Sequence, residues 1–475
     1  MAGGGMPVAG GAVVGGYLTG RALIVPLSLV ISLFFLWGFS YGLLDVLNKH
    51  FQTVLGVTRL ESTGLQVMYF GGGYLLFSPI AAEVLKRRSY KFTIIMGLCL
   101  YSLGAIMFWP TAHFTSPENK KAGFGGFLVC TMVIACGLAT LETSANSYAV
   151  VIGNPATASA RLQFCQSWNG VASFIGPLIA SKAFFSDEGS QDLTSVQYVY
   201  LAVACAGAAV AVLFFFAKLP EVSQDVIEGT STADNPAIDH DGGVGAGPLY
   251  KQYNMIFAFV AQFCYVGAQV TIASFFINYA TENANFTAAE GSNMLSYGLI
   301  TFTVGRFVAT GLATFLQSDF IMVMYASIAI ALTAYVSAGR GIPGVAVLIV
   351  IFFFMAPMYP SLFSLGTANL GRHTKRGAGI LVMAVSGGAV FPPIQGAIAD
   401  SSAGTRTSYL VPMCGFIVVF TYVVSHWIRT GRHIMRVKEV VALTPEAAEE
   451  AGANKLQVEA LEIVGKNGRS THAEV

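Results

Sequence analysis

The chain alternates long apolar runs with short polar stretches. Each apolar run is about 20 residues long, the length at which a helix rising 1.5 Å per residue spans the roughly 30 Å hydrocarbon core of a bilayer. The runs cover residues 24–47, 62–85, 92–110, 124–150, 164–185, 197–217, 253–280, 291–315, 320–338, 344–367, 377–399 and 408–428. The pattern therefore predicts an all-α polytopic membrane protein with twelve transmembrane helices.

A long polar interruption divides these runs into two sets of six. It is acidic and rich in glycine, a composition typical of a mobile linker. The sets also share motifs, since LETSANSYAVV in the fourth run resembles SLGTANLG in the tenth. We therefore expect two pseudo-symmetric six-helix halves. The predicted boundaries are an N-terminus at 1–23, a first half at 24–218, a linker at 219–250, a second half at 251–429 and a tail at 430–475.

Composition supports a membrane protein and excludes several other classes. Apolar residues make up 54% of the chain, charged residues only 11%, and the mean hydropathy is +0.63, values outside the soluble range. The net charge of +1 provides no concentrated positive face for nucleic acid. Most Lys and Arg residues fall on the termini and on alternate loops, which favours cytoplasmic termini.

Neither an enzyme nor a metalloprotein is indicated. The seven cysteines lie in apolar runs without CxxC spacing, and no HExxH motif is present. We therefore expect no metal, no cofactor and no catalytic residues.

Two carboxylates lie deep inside apolar runs. Glu142 follows CGLATL in the fourth run, and Asp45 lies in FFLWGFSYGLLDVL in the first. An ionisable side chain at membrane depth costs several kcal/mol, so it usually has a partner, a water-filled cavity or a function. The sequence therefore predicts a pathway for a proton or a substrate.

Several motifs resemble those of the fucose permease branch of the major facilitators. They are FFLWG with its following Asp, SYK, LYSLGAIMFWP, LETSAN, AQFCYVGAQ, VGRF and YPSLFSLGTANLG. The resemblance covers residues 33–428, nearly the whole membrane region. It implies a secondary transporter that works by alternating access and couples a proton to a neutral monosaccharide of the L-fucose, galactose or glucose type.

The resemblance also assigns the acidic pair. The carboxylates that couple protons in that family match Asp45 and Glu142. Burial in an apolar cavity disfavours the charged form of a carboxyl group, so such a group can bind and release a proton during transport. The alternatives are that Arg306 neutralises Glu142 and that Asp45, nearer the outer end of its helix, is simply hydrated.

The resemblance further implies a sugar site of amides, a hydroxyl and an aromatic ring. The matching residues are Trp37, Asn146, Gln166, Asn169, Gln269 and Tyr359. Amides and hydroxyls pair with sugar hydroxyls, and an aromatic face packs on the C–H surface. The alternative is that the polar groups only bond helix to helix and that Trp37 only packs. Asn369, near a helix end, is expected to cap it.

One departure weakens the match to a sugar carrier. Where relatives carry amides before the first-helix Asp, this chain has SYGLL at 40–44, and Met358 replaces a polar residue. Lost amides weaken recognition of hydroxyl groups. The alternatives left open are a carrier or exporter of another small organic solute and a non-transporting sugar sensor.

The remaining charged residues have structural or gating interpretations. Arg306 either joins the two halves or extends its charge toward the membrane surface, while Glu83, Arg87 and Arg88 occupy the loop where major facilitators place a charged gating motif. Asn285 begins an N-glycosylation sequon in a predicted outer loop. We expect a monomeric functional unit in the plasma membrane.

Overall fold

The computed structural model describes residues 13–14, 17–18, 20–57, 61, 64–116, 118–184, 193–220, 248–339 and 341–435. Most of the predicted linker and the tail beyond 435 therefore lie outside the described residues. Two short strands, β1 (Val13–Val14) and β2 (Tyr17–Leu18), form an antiparallel pair. The main chain of Leu18 then bonds to Ile152, which places this hairpin against the end of the fourth helix.

Helices coincide with all twelve predicted spans, which confirms the predicted fold class. The first half contains α1 (Arg21–Val54), α2 (Gly64–Arg87), α3 (Tyr90–Phe114), α4 (Lys120–Val151), α5 (Ala158–Phe184) and α6 (Thr194–Phe216). The second half contains α7 (Tyr253–Ser274, continued by Phe276–Ala284), α8 (Ala288–Phe315), α9 (Ser318–Ala338), α10 (Ile342–Thr367), α11 (Gly371–Ala399) and α12 (Gly404–Arg429).

Eleven described helices are long and apolar enough to cross a membrane on length and composition alone. α5 is the predicted span that does not meet this criterion within the described residues. It carries Gln163, Gln166 and Asn169, all nine-tenths or more buried. Its polar side chains therefore face the protein interior, where hydrogen bonds to other protein groups replace those to water.

Irregular stretches occur in α2, α10 and α11. α10 is interrupted between Met355 and Met358, at Pro357, because proline has no N–H to continue the helical ladder. α11 passes through a 3₁₀ turn at Ala384–Ser386. α2 contains a π-helix over Val67–Leu75, with α-helix on both sides. The sequence pattern predicts only regular helices at these positions.

The two halves meet mainly along four helix pairs. α2 and α4 pack against α11, and α5 packs against α8 and α10. Gly379 permits the closest approach of α2 to α11, since a Cβ there would lie 2.3 Å from the Ala82 Cβ and 2.8 Å from the Ser78 carbonyl oxygen. The candidate site lies along this boundary.

Candidate functional site

Glu142 lies at the boundary between the halves. Its side chain is only 1% exposed, and its Oε1 accepts a hydrogen bond from the Tyr359 hydroxyl of α10. Its Oε2 is buried and has no hydrogen-bond partner within the described part of the chain, although Tyr74 of α2 lies beside the carboxylate. The carboxylate thus contacts a side chain from the opposite half and retains one free acceptor.

A chain of polar groups leads from Tyr359 to the middle of α8. The Asn146 amide lies 3.5 Å from the Tyr359 hydroxyl, and Gln166 Nε2 lies 3.5 Å from Asn146 Oδ1. Arg306 Nη1 donates to the main-chain oxygen of Gln166 at 2.6 Å and to Asn169 Oδ1 at 2.9 Å. Four residues predicted to bind sugar are therefore joined to both buried charges.

Arg306 does not extend toward the membrane surface. It is 4% exposed, and its guanidinium lies 4.5 Å from the centre of the Phe302 ring. It also makes no ion pair with Glu142 or another acid in the described ranges. Arg306 instead bonds α8 to α5, so of the two interpretations the geometry favours a link between the halves.

A second set of bonds joins α5 to the break in α10. Gln163 Nε2 donates to the Pro357 carbonyl at 2.8 Å and to Ser361 Oγ at 2.9 Å. Gln163 was not among the predicted site residues, although its spacing of three residues from Gln166, repeated to Asn169, places all three near one helical face. That repeated spacing was the available signal.

Among the described side chains, Trp37 and Gln269 are not joined to this chain of bonds. Trp37 is 8% exposed and packs on Phe34, whose carbonyl accepts from Asn169 Nδ2 at 3.2 Å. Gln269 is half-buried on α7. Asp45 lies on α1, and its side chain is outside the described part of the structure.

The second half holds buried amides that sequence analysis also missed. Within the described residues, both polar atoms of Gln262 and of Gln395 lack hydrogen-bond partners, as does the Ser386 hydroxyl. Gln262 lies beside the Tyr359 hydroxyl and seven residues before Gln269 on α7, two helical turns along a similar face. Such groups cost free energy when left unpaired, so they are available to a polar ligand.

The predicted charged motif forms a bridge between α2 and α11. Glu83 accepts from Arg87 of its own helix and from Arg376 of the second half, each at 2.7 Å. Arg88 does not join this cluster and lies over the Phe92 ring. Arg376 was missed as a site residue, because only the tertiary structure brings the basic loop before α11 to α2.

The remaining predictions concern helix ends and metals. Asn285 is exposed, and its backbone is in the left-handed conformation with a φ of 56°. Thr287 of the same sequon forms a capping box with Glu290 at the start of α8. Glycosylation stays a prediction. Asn369 is exposed and lies two residues after Thr367, where α10 ends. Its backbone is in the left-handed conformation, as expected of a residue at a helix end. No cluster able to hold a metal ion occurs among the residues described.

Comparison with known proteins identifies clear relatives. A family model described as Major Facilitator Superfamily matches residues 30–393. An L-fucose–proton symporter of Escherichia coli (strain K12) is 32% identical over 425 residues, which cover 85% of this chain and 93% of that protein. A glucose/galactose transporter of Brucella abortus (strain 2308) is 29% identical over 398 residues, covering 82% of this chain and 91% of that protein.

A solved structure shares the fold. FucP, described as a Major Facilitator Superfamily transporter in the outward conformation, matches with a TM-score of 0.72 and 31% sequence identity. The match covers 85% of this chain and 99% of that one. The similarity therefore extends over both six-helix halves.

Proposed function

Since this chain belongs to the Major Facilitator Superfamily, we propose that it is a secondary transporter that carries a neutral monosaccharide together with a proton. Its relatives include an L-fucose–proton symporter and a glucose/galactose transporter, and they confirm the resemblance to the fucose permease branch. Family membership also places the chain among multi-pass membrane transporters rather than enzymes. The observation that carries the proposal is the fully buried Glu142, bonded by Tyr359 across the two halves.

Protonation of Glu142 would couple the two halves to the proton gradient. A hydrogen bond from Tyr359 is strongest while the carboxylate is charged. A proton on Glu142 removes that charge, weakens the bond between α4 and α10 and frees the Tyr359 hydroxyl for another acceptor. Proton binding thereby promotes separation of the halves, which alternating access requires.

The amides beside Tyr359 supply groups that a sugar needs. Asn146 and Gln166 make long, 3.5 Å hydrogen bonds to Tyr359 and to each other within the described residues, so sugar hydroxyls can replace these bonds at little cost. Gln262 adds an unpaired amide from α7, within the described residues. Asn169 is held by Arg306 and by the Phe34 carbonyl, so we assign it mainly to shaping the site. Trp37 would pack on an apolar sugar face, and Gln269 would contact a hydroxyl.

The Glu83–Arg376 pair would close the cytoplasmic side. It joins α2 to α11 next to the glycine contact at Gly379. With both termini in the cytoplasm, these contacts lie at the inner ends of the helices, so the described state would be closed inward. We further propose that the functional unit is a monomer, because the site is formed within one chain. We also propose that it resides in the plasma membrane.

A carrier for a less polar solute is the second candidate. Ser40, which stands where sugar carriers have an amide, uses its hydroxyl to bond Tyr101 within the first half. Met358 is completely buried beside Tyr359. Both replace groups that would bind hydroxyls, and thermal stabilisation by a panel of sugars and less polar solutes would separate the candidates.

The test is uptake of labelled L-fucose, galactose and glucose by proteoliposomes, with and without an inward proton gradient. We expect gradient-dependent accumulation of one sugar. Glu142→Gln should abolish accumulation while sugar counterflow survives, because exchange of sugar needs no net proton release. Glu282→Gln, a change at an exposed acid, is the matched control. Loss of both activities in Glu142→Gln would contradict a coupling role.

A further inference from the structure

The π-helix in α2 brings two tyrosines together. Tyr69 and Tyr74 are five residues apart, which corresponds to about 140° around an α-helix at about 100° per residue. A π-turn closes hydrogen bonds between residues five apart and so stacks such positions on one face. The ring centres of Tyr69 and Tyr74 are accordingly 5.5 Å apart.

The glycine run at 71–73 allows this geometry. A Cβ on Gly73 would lie 2.3 Å from the Ala135 Cβ of α4, and one on Gly72 would lie 3.3 Å from Met132. Side chains at these positions would push α2 away from α4. The GGG motif thus permits the π-helix to pack closely against the helix that carries Glu142.

A small cavity lies at the far end of this tyrosine pair. Its volume is about 20 Å³, and it is lined by Ser40, Tyr69 and Thr131 together with apolar residues such as Phe108 and Ile134. The Tyr69 and Thr131 hydroxyls are buried and lack a hydrogen-bond partner in the described structure. A volume of this size beside two such hydroxyls suits one water molecule, whereas the Ser40 hydroxyl already bonds Tyr101 and the Leu36 carbonyl.

The tyrosines connect the cavity to Glu142. Tyr74 lies next to Tyr69 and also beside the Glu142 carboxylate, whose Oε2 has no hydrogen-bond partner among the described atoms. Thr131 precedes Glu142 by 11 residues on α4, or about 16 Å along the helix axis. The tyrosines therefore lie between the level of the cavity and the carboxylate.

We propose that the cavity binds an ordered water molecule, and that this water, Tyr69 and Tyr74 form a proton relay to Glu142. The inference rests on the proposed function of Glu142 as the proton-binding group. When the Tyr69 hydroxyl turns to donate to Tyr74 and the Tyr74 hydroxyl turns to donate to Glu142 Oε2, the water passes a proton to the Tyr69 oxygen, the Tyr69 proton moves to Tyr74 and the Tyr74 proton to Glu142. A hydronium ion from the outer solution restores the water's proton, so no tyrosine changes its charge overall.

The position of Asp45 is consistent with this route. It follows the cavity-lining Leu43 by two residues on α1. The relay would thus begin at the level of one predicted coupling acid and end at the other.

The relay is tested with Tyr69→Phe and Thr131→Val, which remove hydroxyls and keep the side-chain shape. We expect the rate of proton-driven L-fucose uptake to fall about tenfold or more, while L-fucose counterflow changes less than about twofold. Tyr409→Phe is the matched control, because Tyr409 is equally buried and its hydroxyl is also unpartnered within the described residues, but it lies in the second half.

The outcomes separate this inference from the proposed function. If Glu142→Gln keeps gradient-driven accumulation, the proposed function fails. If Glu142→Gln abolishes accumulation but Tyr69→Phe and Thr131→Val match the control, the relay is wrong and the proposed function stands.

A second measurement detects the water without transport. X-ray radiolysis converts ordered internal water into hydroxyl radicals. These radicals oxidise the aromatic rings next to the water. We expect oxidation of Tyr69 and Phe108 but not of the equally buried Tyr409, and reduced oxidation in Thr131→Val. Unmodified Tyr69 and Phe108 in the unaltered protein would overturn the proposed water site.

Discussion

α5 and α11 hold equivalent places in the two halves, and both carry buried polar side chains. In α5, Gln163 and Asn169 make hydrogen bonds shorter than 3.3 Å to other helices. In α11, Gln395 and Ser386 have buried polar atoms without a partner in the described structure. Two helices with similar sequence patterns thus differ in how their polar groups are satisfied.

The difference separates groups that are hydrogen-bonded in the described state from groups that can still bond a water or a ligand. A buried hydrogen bond contributes about 1 kcal/mol, whereas an unpaired buried group costs about 1–3 kcal/mol. α5 therefore stabilises the described state of the boundary. The unpaired groups of α11 destabilise it and gain most when water or a sugar binds.

The largest expected effect comes from removing the cation that bonds to α5. Arg306→Met leaves Asn169 Oδ1 and the Gln166 carbonyl without their donor. A shift of about 1 Å in these groups would reduce sugar uptake by about a hundredfold. Uptake into proteoliposomes measures this, with the exposed Arg429→Met as control. Unchanged uptake would show that the α5–α8 bonds are dispensable.

An intermediate effect should distinguish the two helices directly. Gln163→Met removes two bonds to α10 and should lower the free energy of unfolding by about 1–3 kcal/mol. Gln395→Met removes two polar atoms that have no hydrogen-bond partner among the described residues, so this variant should be as stable as the unaltered protein or more stable. Thermal unfolding without ligand compares the two variants. Equal destabilisation would mean that Gln395 already has a partner, such as a bound water.

The smallest effect on stability is expected at the exposed end of the boundary. Arg376→Gln breaks the Glu83 bridge between α2 and α11, yet water screens such a pair and the melting temperature should hardly change. The variant should instead open the cytoplasmic side, seen as faster labelling of a cysteine introduced there. Arg87→Gln, which breaks only a bond within α2, is the control. Identical labelling of both variants would exclude Arg376 as a gate.

Much of the candidate site was predictable from residue type and depth. Glu142 stood out as an acid within an apolar run, and Asn146, Gln166, Asn169 and Tyr359 were identified through the resemblance. Gln163 and Gln262 could have been found from helical spacing, since each falls on the same face as a predicted residue. Their roles in binding and coupling stay proposals.

Other features depended on contacts that sequence spacing does not encode. Arg376 pairs with Glu83 across 293 residues. The π-helix at Val67–Leu75 keeps the apolar composition of an α-helix, so periodicity alone could not identify it. The glycine run was visible, but its packing against α4 was not.

The sequence by itself determined the twelve-helix membrane fold and its duplication. The bilayer thickness fixes the length of each apolar run, and each run satisfies its backbone hydrogen bonds within itself. Only the tertiary structure decided which polar groups meet. Bonds such as Tyr359 to Glu142 and Arg306 to Asn169 join residues more than 130 positions apart, and they form only because the two halves pack face to face.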